Sequence, residues 1–123
     1  MFPKVLGIGG ALILVATAAL HLSGYRELGA QLQTGTLPEF WSAAVKGTWV
    51  FFSVQLVIIA AAVAAQFTNR VAANRAVLFV CIAMLVGNVA VLVVWLGLFI
   101  GTVAIAVATI SITTATVLVT RHA

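Results

Sequence analysis

Acidic side chains are nearly absent from this sequence of 123 residues, which contains no aspartate and only two glutamates, Glu27 and Glu39. Both glutamates lie between the first two apolar segments, so no carboxylate falls within a segment that can cross a membrane. Proton-coupled transporters rely on ionisable side chains at membrane depth. The missing carboxylates therefore argue against a transporter that uses an intramembrane acid.

Metal ligands are also scarce, since the chain has one cysteine, Cys81, and two histidines, His21 and His122. Zinc sites need three or four clustered Cys, His or carboxylate ligands. The two histidines are predicted at opposite ends of the membrane helices, where one chain cannot bring both to a haem iron. No phosphate-binding glycine loop and no nucleophile paired with a base occur. We therefore predict no metal, no cofactor and no catalytic residue.

Apolar residues, in contrast, make up 64% of the chain, against the roughly 45–50% usual in soluble domains. Crossing the roughly 30 Å hydrocarbon core takes about 20 apolar residues in a helix. The runs here are apolar on all sides, unlike the alternating strands of a membrane barrel. The sequence predicts an all-α fold, an integral membrane four-helix bundle in one domain over 1–123. The predicted spans are about 5–25, 44–66, 76–96 and 101–120, with an interfacial helix over 26–43 in the first connection.

Small residues and glycines indicate how these spans pack and where the chain turns. Gly7, Gly10 and Ala18 give the first span a small-residue surface that lets another helix approach closely. The apolar run from Ala76 to Thr120 is roughly twice as long as one crossing requires. We therefore predict a reversal between Trp95 and Gly101.

Cations near the helix ends predict the orientation. With four spans, both termini and the second connection share one side of the membrane. That side carries Lys4, Arg70, Arg75 and Arg121, and the other side carries Arg26 and Lys46. Because cytoplasmic loops are enriched in Lys and Arg, both termini are predicted to be cytoplasmic, in a bacterial inner membrane. The net charge of +4 follows from this distribution, whereas nucleic-acid binding needs cations clustered on one face, so no nucleic-acid partner is predicted.

The stretch from His21 to Trp49 contains both carboxylates, the only tyrosine and two of the three tryptophans. On a helix, His21 and Tyr25 are four residues apart and share a face. An ionisable residue at membrane depth is a functional candidate, and histidine titrates closest to neutral pH. The alternative is a structural His21 bonded to a neighbouring carbonyl or to Glu39, with Tyr25 in the aromatic belt.

Further candidates come from the tryptophans and from the polar residues within the spans. Trp49 and Trp95 map to the outer side, where they either belong to an interfacial belt or surround a ligand. Gln55 and Asn88 are expected to form hydrogen bonds across the bundle centre, with a ligand or pore role as the alternative. The candidate ligand-binding residues are therefore His21, Tyr25, Trp49, Gln55, Asn88 and Trp95.

The tract Ala90–Val103, AVLVVWLGLFIGTV, together with the length and the four predicted spans, resembles the small multidrug resistance transporters. This resemblance implies a small dimeric transporter with an essential glutamate in its first helix. The first helix here has no glutamate, and His21 is its titratable candidate.

A second pattern combines HLSGYREL from His21 to Leu28, Leu37-Pro38, and Trp49 to Ser53, WVFFS. It resembles uncharacterised small four-span bacterial membrane proteins and implies no known activity.

Three functional hypotheses remain open. The favoured one is a non-enzymatic binding protein or accessory subunit with an outward-facing site for a lipid-like or small amphipathic ligand or for a partner protein. The alternative is a small dimeric transporter of hydrophobic or cationic compounds that uses His21 as its titratable group. The third is an enzyme subunit that carries redox chemistry. The expected partners are membrane lipid and a homodimer or larger membrane complex.

Overall fold

The computed structural model describes residues 1–68 and 74–121, with side chains through Val119 in the last helix. Arg70 in the second connection and His122 at the carboxyl end lie outside the described residues. The described residues form five helices. These are α1 (Phe2–Ser23), α2 (Tyr25–Thr34), α3 (Glu39–Thr68), α4 (Arg75–Leu96) and α5 (Ile100–Arg121).

Four helical segments are long and apolar enough to cross a membrane: Phe2–Thr34, Glu39–Thr68, Arg75–Leu96 and Ile100–Val119. At 1.5 Å per residue the 22 residues of α4 extend about 33 Å, close to the thickness of the hydrocarbon core. The predictions of an all-helical fold and of four helices of membrane-spanning character are confirmed.

In the first connection, over the range 26–43, the helix is interrupted. Helix α2 ends at Thr34, residues 35–38 are not helical, and α3 begins at Glu39. The backbone of Gly35 is extended, with φ −83° and ψ 165°. Pro38 accounts for the rest of the break, because a proline disfavours helical backbone at the residue before it.

Helix α1 is the central element of the packing. It lies against both α3 and α5, whereas α4 packs chiefly on α5. A Cβ atom built on Gly10 would lie 2.6 Å from Cγ1 of Ile112 and 3.2 Å from the carbonyl oxygen of Ala108, so α1 and α5 approach too closely there for any side chain. Gly7 is in similarly close contact with the ring of Phe67. The small-residue surface predicted for the first span is therefore the surface that α1 buries.

One polar contact joins α1 to α5. The hydroxyl of Ser111 donates a hydrogen bond of 2.8 Å to the carbonyl oxygen of Leu6. The buried hydroxyls of Thr109 and Thr116 instead donate to carbonyls one turn earlier in α5. This bonding satisfies them within their own helix.

The chain reverses between α4 and α5 at residues 97–99, within the range that the sequence predicts. Gly97 has φ +74°, a left-handed conformation that glycine adopts most easily. Its N–H donates to the carbonyl of Val93 at 3.1 Å, and its own carbonyl accepts from the hydroxyl of Thr102 at 3.1 Å. Glycine is therefore required by the turn itself.

Helices α3 and α4 contact each other little. The buried residues of α4 are Leu78, Cys81 and Leu85, all in its amino-terminal half. Those of α3 run from Ser53, at its midpoint, to Phe67. These stretches lie toward the connection between the two helices, and the stretches farther from that connection border a cavity.

Candidate functional site

The cavity lies inside the bundle and is lined by α1, α3, α4 and α5. Its volume is about 1200 Å³, somewhat above the roughly 300–1,000 Å³ of common small-molecule pockets. Because α3 packs little against α4, the side between these two helices is the one that helix packing closes least. In a membrane-spanning bundle, that side faces the lipid.

His21 and Trp49 form the aromatic wall of this cavity. Their rings are stacked, with centroids 4.0 Å apart and planes inclined by 16°. The indole Nε1 of Trp49 also donates a 2.8 Å hydrogen bond to the backbone carbonyl of His21. Phe52 meets the imidazole edge-on at 5.1 Å. Two neighbours from α3 therefore hold the position of the imidazole.

The end of α1 explains why Trp49 fits at this position. The last carbonyls of a helix have no i+4 partner within the helix. That of His21 accepts from the backbone N–H of Gly24 at 3.2 Å and also from the indole of Trp49. Gly24 leaves room for the indole, because a Cβ atom there would lie 3.2 Å from Cζ2 of Trp49. The carboxyl end of α1 and the Trp49 side chain of α3 thus meet at the cavity wall.

Two buried nitrogen atoms at the cavity have no hydrogen-bond partner among the described residues: Nε2 of His21 and Nδ2 of Asn88. Buried polar groups in proteins are nearly always bonded, because an unpaired one costs free energy. Both residues line the cavity, His21 from α1 and Asn88 from α4. The structural alternative for His21, a bond to a neighbouring carbonyl or to Glu39, is supported by a hydrogen bond between the imidazole and the backbone of Trp49, in which Nε2 takes no part. The amide nitrogen of Asn88 does not form the predicted bond across the bundle centre with any described residue.

The rest of the lining is mostly apolar, and its polar atoms are largely occupied. The hydroxyl of Thr17 donates to the carbonyl of Ile13, and that of Thr48 donates to Ala44, at 2.8 and 2.9 Å. Among the described residues, no Lys, Arg, Asp or Glu side chain lines the cavity. Its free hydrogen-bonding capacity therefore lies mainly in the imidazole and the amide.

The six residues predicted as ligand-binding are divided by the structure. The cavity is lined by His21, Trp49 and Asn88, whereas Tyr25, Gln55 and Trp95 lie outside its lining. Tyr25 belongs to α2, beyond the turn at Gly24. Trp95 has 79% of its surface exposed. Position along a helix therefore did not suffice to select the residues that face the cavity.

Apart from Trp49, sequence reasoning missed the face of α3 that borders the cavity. The residues of this face that line the cavity are Trp41, Ala44, Val45, Thr48, Trp49 and Phe52. Their spacing of three, one, three, one and three is that of a single helix face, so extending the helical period from Trp49 could have found them.

Gly87 of α4 was also missed. It lines the cavity, and a Cβ atom built there would have no heavy atom within 4 Å. The wall at Gly87 is therefore open space into which a larger side chain would project.

Neither a metal centre nor a reactive thiol is part of this site. Across residues 1–68 and 74–121, no three His, Cys, Asp or Glu residues come together in a way that could hold a metal ion. Cys81 is buried in the core and does not line the cavity.

The fold and the site together define a small multi-pass membrane protein whose helices enclose an apolar cavity. No protein-family model, curated protein or solved structure matches this chain.

Proposed function

We propose that this protein binds a lipid-like or small amphipathic ligand in the cavity, without catalysing a reaction on it. The observation that carries the proposal is the combination of a large apolar cavity with two unpaired buried nitrogens, Nε2 of His21 and Nδ2 of Asn88. Such a lining suits a molecule with a long apolar part and a compact polar part. The apolar part would lie against α4 and α5, and the polar part would reach the imidazole and the amide.

The proposed route of entry is the gap between α3 and α4. A lipid-like molecule in the bilayer could pass sideways through this gap without crossing water. The limited packing between these helices supports that route, and so does the open wall at Gly87.

The proposed location of the site is the outer half of a bacterial inner membrane, with both termini in the cytoplasm. The distribution of cations supports this orientation, since Lys4 and Arg75 lie at one end of the bundle and cytoplasmic ends are enriched in such residues. The cavity is at the other end, where α1 and α4 finish. Cysteine accessibility at either end, measured in intact cells, would test the orientation.

Filling the cavity tests the binding proposal. Gly87→Leu places a side chain in the open space of the wall, so we expect ligand that copurifies with the wild-type protein to be lost in native mass spectrometry. Gly47→Leu is the matched control, because Gly47 is also helical and free of neighbours within 4 Å but does not line the cavity. Equal ligand content in wild type and Gly87→Leu would contradict the proposal. A copurifying protein in place of a small molecule would favour an accessory-subunit role instead.

A second candidate function is transport of hydrophobic or cationic compounds by a dimer. It is supported by one observation, that His21 is the titratable side chain facing this cavity. In that case, substrate uptake into proteoliposomes should depend on pH and should be abolished by His21→Phe, which retains a flat aromatic ring. Uptake that is unchanged in this variant would exclude the role of His21.

A further inference from the structure

We infer that the cavity selects an uncharged amphiphile with a hydrogen-bonding head, such as an ester with a neighbouring hydroxyl, over anionic and cationic amphiphiles with the same chain. This inference rests on the proposed binding function and adds the chemical class of the ligand. It follows from the charge of the lining, from its two polar side chains, His21 and Asn88, and from the stacking of His21.

The lining provides no counter-ion for a charged head group. Among the described residues, its side chains include no carboxylate, ammonium or guanidinium group. A charge moved from water into an apolar site without a partner is strongly disfavoured. A phosphate, sulfonate or quaternary ammonium head would therefore remain at the membrane surface, and only a neutral head could enter with its chain.

The aromatic residues do not replace a missing anion for a cationic ligand. A quaternary ammonium is held when it lies over the open face of aromatic rings. One face of the Trp49 indole is covered by the imidazole of His21 at 4.0 Å, and the Phe52 ring meets the imidazole in a T-shaped contact. These three rings are packed against one another and do not form an open cage. Trp41 and Phe99 also line the cavity, but the described residues place no carboxylate in the lining to balance a cation beside them.

The polar side chains of the lining suit a neutral polar head. Asn88 and His21 both line the cavity. An amide offers both a donor and an acceptor, and an imidazole nitrogen donates or accepts according to its tautomer. A head with an ester and a hydroxyl could therefore bond to these side chains with either polarity. A monoacylglycerol carries both groups on a single chain, so it is the appropriate probe.

The test uses tryptophan fluorescence in phosphatidylcholine nanodiscs. Three probes share a 9,10-dibrominated C18 chain and differ only in the head: a monoacylglycerol, an alkyl sulfonate and an alkyltrimethylammonium.

The variant Trp41→Phe/Trp95→Phe reports from the cavity through Trp49. The variant Trp41→Phe/Trp49→Phe reports through Trp95, which is 79% exposed and outside the cavity. Quenching of Trp95 measures how much probe enters the bilayer and corrects for differences in partitioning.

After that correction, we expect the monoacylglycerol to quench Trp49 at concentrations at least tenfold lower than either charged probe. If a charged probe quenches Trp49 equally well, the inferred selectivity is overturned while the proposed binding function stands. If none of the three probes quenches Trp49 more than Trp95, both the selectivity and the binding function fail.

A second variant series tests the polar contacts. Asn88→Leu removes the amide at similar volume, and loss of one hydrogen bond should weaken monoacylglycerol binding about threefold to tenfold. Binding of 9,10-dibromooctadecane, which has no polar head, should not weaken. Because a general structural defect would weaken both, equal losses for the two probes would overturn the assigned role of Asn88.

Discussion

Trp49 is attached to His21 in two ways at once: its indole N–H bonds to the His21 carbonyl at 2.8 Å, and its ring stacks on the His21 imidazole at 4.0 Å. The hydrogen bond completes the end of α1, and the stacking sets the direction of a side chain in the cavity. One residue of α3 therefore links the integrity of a helix end to the geometry of the candidate site.

The first prediction concerns this link. Trp49→Phe keeps an aromatic ring but leaves the half-buried His21 carbonyl with the Gly24 N–H as its remaining partner, so we expect a loss of about 0.5–1.5 kcal/mol in the free energy of unfolding. Trp49→Leu should cost about 0.5–1.5 kcal/mol more, because the stacking is also lost. Reversible unfolding in mixed detergent micelles, followed by circular dichroism, measures both changes.

Trp95→Phe is the control for that pair. Trp95 is 79% exposed, so its replacement should leave the unfolding free energy within about 0.5 kcal/mol of wild type. A loss at Trp95 as large as that at Trp49 would mean that the contacts to His21 do not explain the effect.

The second prediction compares two adjacent glycines of α1. Gly10→Ala puts a Cβ atom 2.6 Å from Ile112 and forces α1 away from α5, which should destabilise the fold by about 1–3 kcal/mol. Gly9→Ala meets no heavy atom within 4 Å and should stabilise by about 0.5–1 kcal/mol, because alanine favours helix. The two substitutions should therefore change the unfolding free energy in opposite directions relative to wild type. Equal changes would contradict the close packing of α1 against α5.

The third prediction compares two asparagines at which the same substitution should have opposite effects. Asn88→Leu removes a buried amide nitrogen without a partner and should raise the unfolding free energy by about 1–2 kcal/mol in the absence of ligand. A gain in stability accompanied by a loss of ligand affinity is the trade-off that a functional polar group produces.

Asn74→Leu is the matched comparison. The side chain of Asn74 accepts hydrogen bonds from the N–H groups of Ala76 and Val77 at the start of α4, at 3.0 and 3.4 Å. Losing this cap should lower the unfolding free energy by about 1 kcal/mol. Destabilisation by Asn88→Leu of similar size would show that the amide has a structural role.

Several parts of the site lay within reach of the sequence. His21 was a candidate because an ionisable side chain is unusual in an apolar helix. Asn88 was a candidate because a side-chain amide is also unusual within a membrane span. Each of these signals is carried by one residue and its nearest neighbours in the chain. The same reasoning could not separate Trp49 from Trp95, since both are tryptophans near the end of a span. Their difference depends on how α3 and α4 are rotated about their axes.

Tyr25 illustrates a candidate that local spacing could not place. It is four residues from His21, but α1 ends at Ser23, a new helix begins at Tyr25, and Tyr25 lies outside the cavity lining. Asn88 illustrates an effect of the tertiary structure. Its amide was expected to bond across the bundle, but its nitrogen has no partner there among the described residues and the residue lines the cavity.

The sequence by itself determined that the protein is helical and that four of its segments are apolar enough to span a membrane. It also determined which surface of the first helix is small enough for close packing. These properties depend on side-chain transfer into lipid and on backbone hydrogen bonds within a helix, and both are local. Only the tertiary structure decided that a cavity exists and that His21, Trp49 and Asn88 meet around it. That outcome depends on α1 packing against α3 and α5 while α3 and α4 contact each other little, which involves residues far apart in the chain.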